Sequence, residues 1–226
     1  MRKKICLILK VVIIISSLVG VVLGCILFER DGYSAWYKRL YYFTNMSNLW
    51  ICAVMIGALW ATFVKRAKYK RVGRVIYICK YIFTVSIAIT GIIFCGLLAP
   101  FAEDGYHAWS INSLLLHVVT PVLSVVDFFV DDYNLALKTR YLFLTIIPPL
   151  LYFVFAIIMG VCGVDFGKGE TYPYFFFDFN NPAGLFGFII AKPRPFIGSF
   201  YWLLVVCLLV FGLGALFKKI SPKTKV

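Results

Sequence analysis

The run Ile111-Asn112-Ser113-Leu114-Leu115-Leu116-His117-Val118-Val119-Thr120-Pro121-Val122-Leu123-Ser124-Val125-Val126-Asp127-Phe128-Phe129-Val130 decides the fold. It is long enough to cross the hydrocarbon of a bilayer as a helix, which takes about 20 residues. Ser113, His117, Thr120, Ser124 and Asp127 follow spacings of four, three, four and three. Those spacings set all five on one helix face, and the other faces are apolar. Polar side chains facing lipid are costly, so the stripe has to face protein. The run therefore predicts one span of a bundle rather than a lone anchor.

Working outward, five more apolar stretches are long enough to span, at roughly 5–28, 41–64, 75–99, 141–163 and 196–217. The reading is an all-α polytopic membrane protein, a single transmembrane domain over 1–226 built as a bundle of six helices. The first stretch follows Met1-Arg2-Lys3-Lys4 and resembles a secretory signal. It is longer than the apolar core of a signal, so it reads as a retained span. Pro148 and Pro149 interrupt the fifth stretch, where a kink is expected.

Loop charges orient the bundle. Arg2, Lys3, Lys4, Lys65, Arg66, Lys68, Lys70, Arg71, Arg74, Lys138, Arg140, Lys218, Lys219, Lys223 and Lys225 fall at one end of the alternating spans, fifteen in all. Arg30, Lys38, Arg39, Lys168, Lys192 and Arg194 fall at the other. The positive-inside rule puts the fifteen in the cytosol, with both termini, in a multi-pass protein of the cell membrane. This distribution also explains the net charge of +13 without a nucleic-acid partner. The chain is 62% hydrophobic and only 15% charged, a composition that calls for the bilayer as solvent.

The outer loop 164–195 is the longest connection. It contains Tyr172-Pro173-Tyr174-Phe175-Phe176-Phe177-Asp178-Phe179, too aromatic to stay in water and suited to the membrane interface. It is expected to fold back over the outer mouth of the bundle. The seven cysteines lie in or at the ends of apolar runs, with no C-x-x-C pair and no clustered His. They read as small buried hydrophobes, and no metal or other cofactor is expected.

The second span opens with Tyr42-Phe43-Thr44-Asn45-Met46-Ser47-Asn48, where Thr44, Ser47 and Asn48 share a face. Thr44 and His117 both start from the outer side, at depths of roughly 5 and 9 Å by helical rise. If the second and fourth spans are neighbours, the hydroxyl meets the imidazole. A neutral His is a base near pH 7 and can activate a threonine as a nucleophile. First-turn backbone N–H groups near Thr44 and the Asn48 amide are candidate donors to an oxyanion. Asp178, with Glu103 and Asp104 as rivals, is the candidate carboxylate to orient His117. Asp178 can instead cap a turn beside Asn180-Asn181-Pro182. Spacing also allows the plainer reading, in which Thr44 bonds its own helix and His117 a neighbouring one. At the cytosolic side, Lys80 and Asp127 are expected to neutralise each other, unless Lys80 snorkels to the headgroups. Lys10 also lies inside a span.

The segments Phe43-Thr44-Asn45-Met46-Ser47-Asn48 and Leu116-His117-Val118-Val119-Thr120-Pro121, followed by Tyr172-Pro173-Tyr174 and Asp178, resemble the androgen-induced membrane hydrolase family. That family includes the androgen-dependent TFPI-regulating protein and bacterial relatives of six predicted spans. The resemblance covers nearly the whole chain in length and span order, through short motifs. It implies a threonine hydrolase that cleaves fatty acid esters of hydroxy fatty acids, with the threonine at Thr44 and the histidine at His117. Asn45 and Ser47-Asn48 look more like the bacterial branch, so the lipid substrate is not carried over with the pair. The expected partners are a lipid or fatty acyl ester and the bilayer itself. The competing readings are a small transporter or lipid-binding membrane protein without catalysis, and an assembly subunit. A transporter needs polar groups reaching both faces. A hydrolase needs them at one depth above a closed floor.

Overall fold

The computed structural model describes residues 2–63, 70–100, 107–130, 136–167, 169–178, 181–190 and 196–221. Among the described residues, six helical segments are long and apolar enough to cross a membrane: Arg2–Ile26, Phe43–Thr62, Val72–Leu98, Ile111–Val130, Thr139–Val161 and Ser199–Ile220. All six expected stretches are helical, with ends displaced by a few residues.

The spans alternate in direction, and contacts at each end fix this. At one end Arg2 Nε donates to the Val130 carbonyl at 3.0 Å, and Tyr77 Oη meets Ser221 Oγ at 3.1 Å. At the other, Arg30 reaches Asn112 Oδ1 at 3.3 Å and Lys38 reaches Asp165 at 2.7 Å. The first four spans form the inner bundle, the first packing on the second and fourth, and the third on both of these. The third also packs on the sixth, and the fifth lies outside against the sixth. The third span is accordingly the most enclosed, with Tyr77, Tyr81, Val85, Ile89 and Phe94 all buried.

The third and fourth spans approach closely at a glycine. A Cβ on Gly91 would meet the His117 carbonyl at 2.9 Å. Only glycine lets the third span lie this near the fourth. The fifth span carries a local irregularity just before Pro148 and Pro149, across which the backbone stays in the helical region. Helix Thr139–Leu144 stops at a turn over Thr145 and Ile146, and a second helix runs Ile147–Val161. Pro148 and Pro149 sit in the first turn of this second helix, where a missing N–H leaves no intrahelical bond unmade. Between the fifth and sixth spans, Phe188–Ile189 pairs antiparallel with Phe196–Ile197.

Tyr172–Asp178 lies against the bundle at the end where the second span begins. Phe176 and Phe177 are buried in one cluster with Phe166, Tyr152, Phe153 and Ala156. Phe175–Phe177 forms a single 3-10 turn. The loops at this end are also tied by charge. Burial pushes the Asp165 carboxyl up, but the Lys38 ammonium and the Gly167 and Gly169 amides outweigh it and hold it down at about 2.

Candidate functional site

Thr44 stands in the first turn of the helix Phe43–Phe63. A 3-10 turn, Trp36–Tyr41, leads into it, and Tyr42 between them is extended. Asn45 Nδ2 donates to the Arg39 carbonyl at 2.8 Å and fastens the entering chain. Arg39 is buried, paired with Asp31 at 2.6 Å and seated over the Tyr33 ring. The start of the second span is therefore fixed by polar bonds as well as by packing.

The fourth span brings His117 to the same depth. All five residues of its stripe are buried, His117 at 8% exposed and Asp127 at 0%. The helix is locally widened: Leu115–Val119 is a π-turn between Ile111–Leu114 and Thr120–Val130. A second π-turn, Phe94–Leu98, ends the third span opposite it. Single π-turns of this kind often sit at functional sites, because the added residue re-aims the side chains around it. Here they bring the Phe94 ring onto the imidazole, centroids 3.8 Å apart.

Thr44 Oγ1 lies 3.2 Å from His117 Nε2. His117 Nδ1 lies 2.9 Å from the Ser113 carbonyl and 3.1 Å from Ser113 Oγ. A carbonyl only accepts, so the network assigns the imidazole proton to Nδ1. Nε2 then presents its lone pair to the threonine hydroxyl. The two residues singled out from spacing and depth do meet, and the arrangement is that of a base on a nucleophile.

Two expectations are corrected. Asn48 is not an available oxyanion donor. Its Nδ2 donates to the Thr44 carbonyl at 2.8 Å and to the Leu116 carbonyl at 3.1 Å, which occupies both protons. It ties the second span to the fourth instead. Asp178 does not hold the imidazole, because Ser113 already does. Its carbonyl accepts from Asn181 Nδ2 and from Ser199 Oγ, so the residue belongs to a turn leading into the sixth span. Glu103 and Asp104 lie outside the described residues. Ser113 was visible on the stripe, but its role was not. Phe94 carried no sequence signal beyond apolarity.

Toward the opposite end, Lys80 Nζ lies 2.5 Å from Asp127 Oδ2, as expected of that pair. Lys10 joins them, 2.9 Å from Asp127 Oδ1. All three side chains are buried. Lys10 was legible as an ionisable residue inside a span, a signal that normally points to a partner.

Thr44 opens on a narrow cavity of about 40 Å³, lined also by Thr90, Ile93, Tyr152, Tyr174, Phe176 and Leu203. Tyr174, Phe176 and Phe177 form part of its wall, so the aromatic segment covers the site end. Ile93, Phe176 and Val206 are shared with an apolar groove between the third and sixth spans. Tyr152 is shared with a second groove, against the fifth. Comparison with family models, with curated proteins and with solved structures finds no match to the chain.

Proposed function

We propose that this chain is an intramembrane hydrolase of lipid esters, with Thr44 as nucleophile and His117 as general base. One observation carries the reading: Thr44 Oγ1 is 3.2 Å from the unprotonated nitrogen of an imidazole whose other nitrogen is anchored on Ser113. Thr44 Oγ1 bonds to the ester carbon as its proton passes to Nε2, and the carbonyl electron pair moves onto oxygen. As that pair returns, the ester C–O bond breaks and His117 gives its proton to the departing alkoxide. Water then repeats the sequence on the acyl-threonine and releases the acid. The resemblance of the motifs around Thr44 and His117 to androgen-induced membrane hydrolases makes fatty acid esters of hydroxy fatty acids the first substrates to try.

The chemistry sits at one depth, which fits a hydrolase better than a transporter. Asp127, the polar residue nearest the far end of the stripe, is committed to Lys10 and Lys80 and so does not extend a path from the site. The excess of basic residues in the other set of loops supports cytosolic termini in a cell-membrane protein, with the cavity toward the outer leaflet. Acyl chains then enter sideways along the apolar grooves. The test is hydrolysis of an ester panel by the detergent-purified protein, with Thr44→Ala as control. Equal turnover by the two proteins would sink the reading. Reporter fusions at each terminus test the orientation.

A further inference from the structure

An ester hydrolase needs donors aimed at the oxygen that becomes negative, and Asn48 is occupied. The first turn of the second span supplies one. The amides of Asn45 and Met46 bond the Tyr42 carbonyl, at 3.0 and 3.1 Å. The Thr44 amide instead points at a side chain: it donates to Tyr174 Oη at 3.4 Å, from the covering aromatic segment. A neutral phenol oxygen thus stands where the nucleophile's own amide would meet an oxyanion.

A second observation indicates a polar ligand at this place. Tyr152 lines the same cavity and is 4% exposed, yet its Oη forms no well-made hydrogen bond among the described residues. It lies beside the Tyr174 hydroxyl and the Phe43 backbone. A ligand oxygen placed there completes the hydrogen bonding of this hydroxyl.

From these contacts we infer that Tyr174 is a catalytic residue: its hydroxyl and the Thr44 amide together hold the oxyanion. This rests on the hydrolase reading above. The substrate carbonyl oxygen takes the acceptor position at the Thr44 N–H. Tyr174 moves aside by about one hydrogen-bond length and donates its O–H to the same oxygen. When Thr44 Oγ1 bonds to the carbonyl carbon, the electron pair displaced onto oxygen lies between these two donors and near the positive end of the helix dipole. Stacking on Phe176 at 5.1 Å and the edge contact with Tyr42 at 5.6 Å keep the Tyr174 ring beside the site while its hydroxyl shifts. The aromatic segment is then part of the active site as well as its cover.

The experiment uses the full chain in detergent, with a long-chain p-nitrophenyl acyl ester as substrate. Two inhibitors are compared: a long-chain trifluoromethyl ketone, which adds to Thr44 and forms an oxyanion, and the matching ether, which has no carbonyl. Tyr174→Phe keeps the ring and its packing. It is expected to lower kcat by about 10²–10³ with KM nearly unchanged. Affinity for the ketone should fall by a similar factor, and affinity for the ether should hold. If Tyr174→Phe keeps wild-type kcat while Thr44→Ala is inactive, the assignment to Tyr174 fails and the hydrolase reading stands. Equal loss of ketone and ether binding would reduce Tyr174 to a wall of the cavity and overturn the assignment. Wild-type protein inactive on every ester overturns both.

Discussion

Phe94 lies flat on the imidazole of His117, with ring centroids 3.8 Å apart and planes 14° from parallel. The contact joins the third span to the fourth at the depth of Thr44, with a π-turn on each side. Ser113 fixes one edge of the imidazole and Phe94 one face, so the ring keeps little freedom to turn away from the hydroxyl. An aromatic face also attracts the cation that forms when the imidazole takes a proton.

Replacing Phe94 by Leu is expected to lower kcat by up to about tenfold, the equivalent of one aromatic contact of about 0.5–1.5 kcal/mol. KM should change little, because Phe94 does not line the cavity that holds Thr44. Steady-state kinetics on one ester substrate distinguish the two constants. A rise in KM alone would mean that Phe94 shapes binding instead.

His117→Ala is expected to reduce kcat by about 10²–10⁴, the usual contribution of a general base. Thr44→Ala should be inactive. Thr44→Ser should retain part of the activity, since a primary hydroxyl can take the same place against Nε2. Mass spectrometry of the protein treated with a fluorophosphonate checks the nucleophile directly. A label that persists on Thr44→Ala would place the nucleophile elsewhere.

Asp178→Asn is expected to leave ester hydrolysis within about twofold, because the Ser113 carbonyl and not a carboxylate holds Nδ1. The measurement is kcat/KM beside that of His117→Ala. A large loss confined to Asp178→Asn would restore the carboxylate to the site.

Asp127→Leu removes the anion shared by Lys10 and Lys80. It should destabilise the bundle by about 3–5 kcal/mol, the usual result of stranding buried charge. Replacing Lys10 and Lys80 by Met in the same protein should recover most of the loss. Thermal unfolding in detergent reads both. Unchanged stability of the single variant would show that water or headgroups reach the lysines.

The tie between the loops at the site end has an acid limit. Asp165 is held at about 2, below an ordinary carboxylate, so its contribution is complete above the unfolded value near 3.9. It is lost as pH falls through about 2. Hydrogen exchange around Ser34 and Gly167, whose backbones bond at 2.8 Å, should therefore be flat from neutral pH to about 4 once the intrinsic rate is divided out. Asp165→Asn should raise it throughout that range.

Helical period, span length and loop charge were enough to state six spans, a buried stripe on the fourth, and a common depth for Thr44 and His117. Each of these depends on one helix at a time, on 3.6 residues per turn and 1.5 Å per residue. The partner of His117 Nδ1, the Phe94 platform, the spent amide of Asn48 and the third member of the Lys10–Asp127–Lys80 group depend on which helices touch and in what rotation. Neither is written in a single helix. Packing likewise decided how closely Gly91 lets the third span approach the fourth, because the apolar pattern says only which residues avoid water and not which surfaces meet.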